Sequence, residues 1–408
     1  MHTHLGGIGV HLDSRLAQIG TRKDEGTGAV SYPVYHATAY RHPALGESTG
    51  YDYARTANPT RDVLEEAIAA LEGGDAGFAC SSGMAAIQTV MGLFSRGDHL
   101  VVSLDLYGGT YRLFEQVLAR YGLSFSYVDM RDLSAVRRAI RPQTKALFVE
   151  TPTNPLLQVA DLRALAAAAR RHGLILIVDN TLMTPYLQRP LALGADIVVH
   201  SATKYLGGHN DVLAGLIVTK GEELTEKMRF LHNSIGAVLA PQDAWLLMRG
   251  MKTLALRMER HQSNAEALAG ALAEHPLVEQ VFYPAFDPEA AAVQSSQAAG
   301  FGGMISFRVK DAGLVAPFLR SLRLISFAES LGGVESLITY PATQTHADLP
   351  DERRRSMGIC DRLLRLSVGI EHPKDLIEDV NQALARAEEI VRGGGTGGVR
   401  NPASSQRQ

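Results

Sequence analysis

Four short runs, "HLVVSLD", "KALFVET", "LILIVDN" and "ADIVVHS", constrain the fold more than any other feature of this chain. Each is apolar on consecutive residues, not alternate ones, so each buries both faces, as central strands of a parallel sheet do. The segments between them, such as "DLRALAAAARRHG", repeat apolar residues at helical spacing. Strands alternating with helices predict an α/β domain on a mostly parallel sheet flanked by helices. The pattern begins at "NPTRDVLEEAIAALEGG" and holds to about residue 250.

Beyond it, "MKTLALRMERHQSNAEALAGALAEH" reads as a long amphipathic helix. "GGMISFRV" and "RLLRLSVGIE" read as strands, and "PKDLIEDVNQALARAEEIVR" as a last helix, which predicts a smaller α+β domain. The first 58 residues are rich in Gly, Tyr, Pro, Thr and His with little periodicity and read as an extended arm. The expected division is an arm over 1–58, an α/β domain over 59–250, an α+β domain over 251–393 and a disordered Gly- and Ser-rich tail over 394–408.

Composition narrows the partners. Forty basic residues against forty-three acidic ones leave a formal charge of −3, so nothing attracts nucleic acid or an anionic membrane, and a small-molecule ligand is expected. Two cysteines cannot make a disulfide framework, and the start "MHTHLGGIGVHLDSRLAQIG" lacks the basic and apolar regions of a signal peptide. No run of about eighteen apolar residues predicts a membrane span. Cytoplasmic residence is the expectation, and no metal is expected.

In open α/β sheets, ligands bind beyond the carboxyl ends of the strands. Asp179 ends "LILIVDN", and a carboxylate there needs a cationic or proton-donating partner; a helix cap is the plainer reading. Lys204 follows the next apolar run, among Ser201, Thr203, Gly207 and Gly208. A lysine in a crowded, partly dry site has a lowered pKa and becomes a nucleophilic amine, although most lysines are solvated surface residues. "CSSGMAAIQTVM" leads a Ser-Ser-Gly turn into a helix, whose free amides suit a phosphate. In "DLYGGTYRLF", Tyr107 precedes a Gly-Gly turn and is placed to stack on a planar ring, or to pack in a core. An amine for an aldehyde, a carboxylate for a pyridinium nitrogen, an aromatic face and a phosphate cup together answer the needs of pyridoxal phosphate.

These motifs, with "YDYARTANPTR", "ETPTNPLL", "FAESLGGVES" and "RLLRLSVGIEH", resemble the Cys/Met-metabolism family of pyridoxal-phosphate enzymes from about residue 14 to 392. The resemblance implies a fold-type I, aminotransferase-like enzyme with pyridoxal phosphate as cofactor, assembled as a homotetramer of two dimers. It makes Lys204 the Schiff-base lysine and Asp179 the pyridinium partner, and stacks Tyr107 on the ring. It assigns Ser201, Thr203 and the amides of Gly83 and Met84 to the phosphate. Tyr53 and Arg55 would reach that phosphate from the neighbouring subunit, giving the arm a purpose. Arg365 matches the clamp of the substrate α-carboxylate, for which a planar fork is suited. Asn154 and Ser330 match residues lining cofactor and substrate.

Within the family, whose members include cystathionine γ-synthases, γ- and β-lyases and homoserine-ester sulfhydrylases, Glu329 matches the glutamate usual for γ-chemistry. Gly109 stands where methionine γ-lyases carry cysteine. "YRHPALGEST", "GGHNDVLAGL" and "VESLITYPATQTHADLP" are most similar to bacterial enzymes of the γ-synthase kind. The resemblance therefore implies γ-replacement on an O-acyl-homoserine by cysteine, with Arg112 and Glu329 as candidates for handling the incoming cysteine. As plain readings these two are a solvated helix charge and a loop carboxylate. A non-catalytic cofactor-binding protein is the reading from another class.

Overall fold

The computed structural model describes residues 10–344, 352, 354 and 357–393. The expected tail over 394–408 lies outside the described residues. A large sheet is built from β1 (Ala76–Cys80), β2 (His99–Ser103), β3 (Ser124–Val128), β4 (Thr144–Glu150), β5 (Ile175–Asp179), β6 (Ile197–Ser201) and β7 (Gly215–Thr219). The spatial order is β1-β7-β6-β5-β4-β2-β3. Only β7 runs against its neighbours, β1 and β6; the pairs from β6 through β5, β4 and β2 to β3 are parallel. The four apolar runs are thus β2, β4, β5 and β6, the central strands that continuous apolarity predicts.

Local sequence sets where helices begin and end. Asn58 opens the helix Pro59–Glu72: its side chain accepts from Thr60 N at 3.0 Å and Arg61 N at 3.2 Å. Such a cap contributes about 1 kcal/mol, and Pro59 at the first helical position needs no partner for an N–H it lacks. Gly73, at φ 78°, stops the helix in the left-handed region that glycine enters without strain. Alternate residues of the strands then pack on opposite faces. Leu176 and Val178 join Leu64 and Ile68 of that helix. Ile177 and Val199 face Phe114, Phe148 and the helix Gly83–Met91. Each fully buried side chain of this size contributes about 1.5–3 kcal/mol.

A second sheet contains β8 (Val278–Phe282), β9 (Met304–Val309), β10 (Ser326–Phe327), β11 (Leu337–Thr339) and β12 (Leu363–Ser367), in the order β10-β11-β12-β9-β8. It is antiparallel except between β10 and β11. The helices Leu254–Glu274 and Pro373–Gly393 pack on it through Leu268, Leu272, Leu376 and Leu384. β12 is buried along its length, which draws Arg365 inward with it.

The leading segment is less uniformly extended than its composition suggests. A short helix, Leu12–Ala17, seats Leu16 and, just beyond it, Ile19 in the core of the large sheet. Six residues span under two turns, too few for periodicity to register. Farther on the chain is largely exposed, Leu45 completely so. No helix among the described residues is long and apolar enough to cross a membrane.

Candidate active site

The carboxyl ends of β5 and β6, the loop after β6 and the turn before β11 converge on Lys204. Its Nζ donates to Ser330 Oγ at 3.0 Å. Burial, reinforced by the positive charge of Arg365 and opposed by Glu329, lowers the Lys204 amine from 10.5 to about 8. A fraction of this amine is therefore unprotonated near neutral pH, as a nucleophile or base requires.

Arg365, 2% exposed in the middle of β12, meets the same serine from the other side. Its Nη2 donates to the Ser330 carbonyl at 2.9 Å and its Nη1 to Asn154 Oδ1 at 2.9 Å. Among the described residues its buried Nε has no hydrogen-bond partner. A guanidinium hydrogen-bonded to two neutral oxygens, and to no carboxylate among the described residues, keeps donors for an incoming anion. Burial brings it down only to about 10, so it stays charged at neutral pH.

Ser330 itself has φ 149°, a positive value that costs a non-glycine residue about 1–3 kcal/mol. The surrounding turn holds it there. Gly332 N donates to Ser367 Oγ at 2.8 Å, Val334 N to the Gly208 carbonyl at 2.9 Å, and Asn210 Nδ2 to Glu335 Oε2 at 2.7 Å. Gly332 has φ 80°, and a Cβ on it would lie 2.5 Å from Tyr205 N, so only glycine fits this close approach. The turn around Ser330 is thus fastened to the turn that carries Lys204.

Asp179 stands at the end of β5, where Thr181 N donates to its Oδ1 at 3.0 Å. Burial raises its carboxyl, and the Thr181 bonds and nearby His200 pull the other way. Thr181 Oγ1 in turn accepts from Ser201 N at 2.8 Å and so ties the ends of β5 and β6 together. Ser82 caps the helix Gly83–Met91 by accepting from Ala85 N at 3.0 Å. The first amides of a helix, here those of Gly83 and Met84, have no partner within it. A Cβ on Gly83 would lie 2.8 Å from Ser201 Cβ, so this cup leaves no room for a side chain. Thr203 Oγ1 is engaged with Ala214, donating to its carbonyl at 3.2 Å and accepting from its amide at 3.1 Å.

Tyr107, 43% exposed, precedes the helix Gly108–Arg112. A Cβ on Gly109 would lie 2.5 Å from Tyr107 Cε1, so the glycine permits this ring position. Arg112 ends that helix, exposed, and Glu329 acts on both Lys204 and Arg365. Within this chain Tyr53 and Arg55 meet each other, and Arg55 meets the end of the helix Glu222–Ile235. Arg55 lies 5.8 Å from the Tyr53 ring and donates to Asn233, at 2.6 Å to its carbonyl and 3.2 Å to its side chain. Two buried groups escaped sequence reasoning. Arg257 donates to the carbonyls of Tyr205 at 2.6 Å and Gly250 at 2.8 Å, pinning the lysine turn. Glu150 ends β4 as Asp179 ends β5, and its place at the close of an apolar run was the available signal.

The sequence profile of a family described as Cys/Met metabolism PLP-dependent enzyme matches residues 13–385. The chain belongs to this family. Among relatives of the family, a cystathionine gamma-synthase/O-acetylhomoserine (thiol)-lyase of Bacillus subtilis is 60% identical, covering 93% of this chain and 98% of the relative. A cystathionine gamma-lyase of the same organism is 55% identical, over 90% of this chain and 97% of that one. The crystal structure of cystathionine gamma synthase from Xanthomonas oryzae pv. oryzae, in complex with aminoacrylate and cysteine, superposes with a TM-score of 0.91 at 41% identity, covering 93% of this chain and 99% of that chain. The protein is a pyridoxal-phosphate enzyme of the trans-sulfuration group with this family's α/β fold. The residues present suit that cofactor: an amine with a lowered pKa, a carboxylate at a strand end, and a helix start whose glycine keeps the cup open.

Proposed function

We propose that the enzyme is a cystathionine γ-synthase, which joins an O-acyl-homoserine and L-cysteine into L-cystathionine. The observation that carries this reading is the arrangement around Ser330, whose hydroxyl holds the Lys204 amine while its carbonyl holds the Arg365 guanidinium. A base and a carboxylate clamp on either side of one residue suit an α-amino acid. The dual name of the Bacillus subtilis relative supports an acyl-homoserine as first substrate and favours a second reading, capture of sulfide in place of cysteine.

Bound at this site, pyridoxal phosphate supplies an aldehyde for amines and a ring that accepts the electron pair released at Cα. Lys204 would hold the aldehyde, Asp179 would serve the ring nitrogen and Tyr107 would cover the ring. Ser201, Thr203 and the amides of Gly83 and Met84 would hold the phosphate, with Tyr53 and Arg55 of a neighbouring subunit in a homotetramer. Asn154 steadies Arg365 beside the cofactor. Arg365 grips the substrate carboxylate with its fork and so orients the Cα–H bond toward Lys204 Nζ. Freed once the substrate amine takes its place on the aldehyde, the Lys204 amine would relay the Cα proton and then a Cβ proton one at a time, each returning to its carbon after the C–S bond has formed, with the Tyr107 hydroxyl assisting these transfers. The acyloxy group leaves Cγ as a carboxylate, the cysteine sulfur bonds there, and the thiol proton is released to solvent, balancing the departing carboxylate. Glu329 and Arg112 receive the incoming cysteine, and Ser330 holds Lys204 in line between transfers.

The purified enzyme is to be incubated with O-acetyl- or O-succinyl-L-homoserine plus L-cysteine, with the same esters plus sulfide, and with cystathionine alone. Cystathionine as the dominant product of the first mixture is the expected outcome. Faster breakdown of cystathionine than its formation would overturn the synthase reading in favour of a lyase.

A further inference from the structure

Glu150 closes the run "KALFVET" and has no part in the reaction above. It is 7% exposed at the end of β4. Parallel pairing places it in register with Asp179, on strands about 4.8 Å apart, so both side chains leave the same face of the sheet. Its Oε2 accepts from Tyr107 N at 3.2 Å, and its own amide donates to Ser103 Oγ at 3.1 Å. Asp105, 4% exposed and accepting from Thr153 Oγ1 at 2.9 Å, is a third carboxyl acting on Glu150. The charged groups facing Glu150 are therefore Asp179 from β5, Asp105 from the loop after β2, and Arg365 from β12.

Neighbouring carboxylates withdrawn from water do not both stay ionised; the pair retains a proton. Asp179 has the Thr181 amide and the influence of His200 in support of its charge. Glu150 is supported by the amides of Tyr107 and Asn154, but it has acids on two sides, and burial first, then Asp179 and Asp105, push it well above the ordinary carboxylate range.

We propose that Glu150 is a positioning residue, held as a neutral carboxylic acid that anchors the Tyr107 backbone and leaves Asp179 as the single negative charge of the pair. The proposal rests on the reading of Asp179 and Tyr107 as the groups that meet the cofactor ring. It makes β4 a working strand of the site. A ring nitrogen held there would meet one charge where two carboxyl groups stand.

Two variants of the holoenzyme test it. Glu150→Gln keeps the size and a neutral acceptor, while Glu150→Leu keeps the volume without an acceptor. In the infrared difference spectrum of wild type minus Glu150→Gln at neutral pH, the carbonyl stretch of a protonated carboxylic acid is expected. Glu150→Gln should keep kcat and cofactor affinity within about threefold, whereas Glu150→Leu should weaken cofactor binding about tenfold, the loss expected for one buried acceptor. An absent band overturns the neutral acid. Equal losses in the two variants, or none in Glu150→Leu, overturn the anchor. The band reports on Glu150 whatever the reaction. Failure of the underlying reading shows separately, as an Asp179→Asn variant with unchanged cofactor affinity and visible spectrum.

Discussion

The two ends of the large sheet both bury polar side chains, and they treat them differently. At the amino ends, His99 is 1% exposed, with Nδ1 bonded to Thr144 Oγ1 at 2.8 Å and Nε2 to Ser126 Oγ at 2.9 Å. Burial, helped by Arg141, lowers it to about 4, so it is neutral at neutral pH and both ring nitrogens are satisfied. At the carboxyl ends the buried groups are an amine, a guanidinium and carboxyls. Their pKa values are displaced, and a donor on Arg365 is left over. Satisfied, neutral polarity stabilises a fold; charged and incompletely satisfied polarity is what a ligand can complete.

The sharpest way to break this contrast is Lys204→Ala, which should lower kcat by about 10⁴-fold, the upper range for loss of a general base. Steady-state assays with a visible spectrum of the cofactor check it, and a variant with normal kcat would end the assignment. Arg365→Ala comes next. Losing two charge-assisted bonds of about 1.5–3 kcal/mol each in part should lower kcat/KM by roughly 10–100-fold, chiefly through KM for the amino acid. Unchanged KM would rule out the clamp.

At the opposite end, His99→Leu should cost about 1–3 kcal/mol of stability in denaturant melts while leaving kcat and KM unaltered. A clear change in kcat would erase the distinction between the two ends. Proton linkage gives a subtler test. His99 binds a proton at about 4 in the folded chain but at 6.5 when unfolded, so its contribution to stability is full above 6.5 and lost as pH falls through 4. Lys204 does the same between 10.5 and about 8: stability of the cofactor-free protein should rise with pH across that window. Acylation of Lys204 in that protein, followed by mass spectrometry, should show a midpoint near 8; a midpoint near 10.5 would remove the dry-site argument.

Much of the fold was legible because both-face burial writes itself into consecutive residues, as in "LILIVDN". β1 and β3 were harder. β1 is "AGFAC", small because a Cβ on Gly77 would strike the helix Pro59–Glu72, and β3 is a half-exposed edge, "SFSYV", with few residues that mark a core. In the site, Lys204 and Asp179 were visible from their places after apolar runs, whereas Arg365 needed a family likeness. An arginine inside "RLLRLSVG" looks solvated until the strand carrying it is buried along its length. Glu150 was passed over because a carboxylate at a strand end reads as ordinary unless its lateral neighbour is known, and neighbours are set by strand order, which one sequence does not spell out.

The fastening between the Ser330 turn and the lysine turn bears on how such enzymes can be recombined. Segments 204–210 and 329–335 lie far apart in the chain, yet they share one interlocking surface through Gly332, Val334 and Asn210. A chimera whose crossover falls between them would pair halves cut by different hands, and the amine would lose its seat even with every active-site residue retained. Exchanged as one block, the two segments should carry their geometry into a new scaffold.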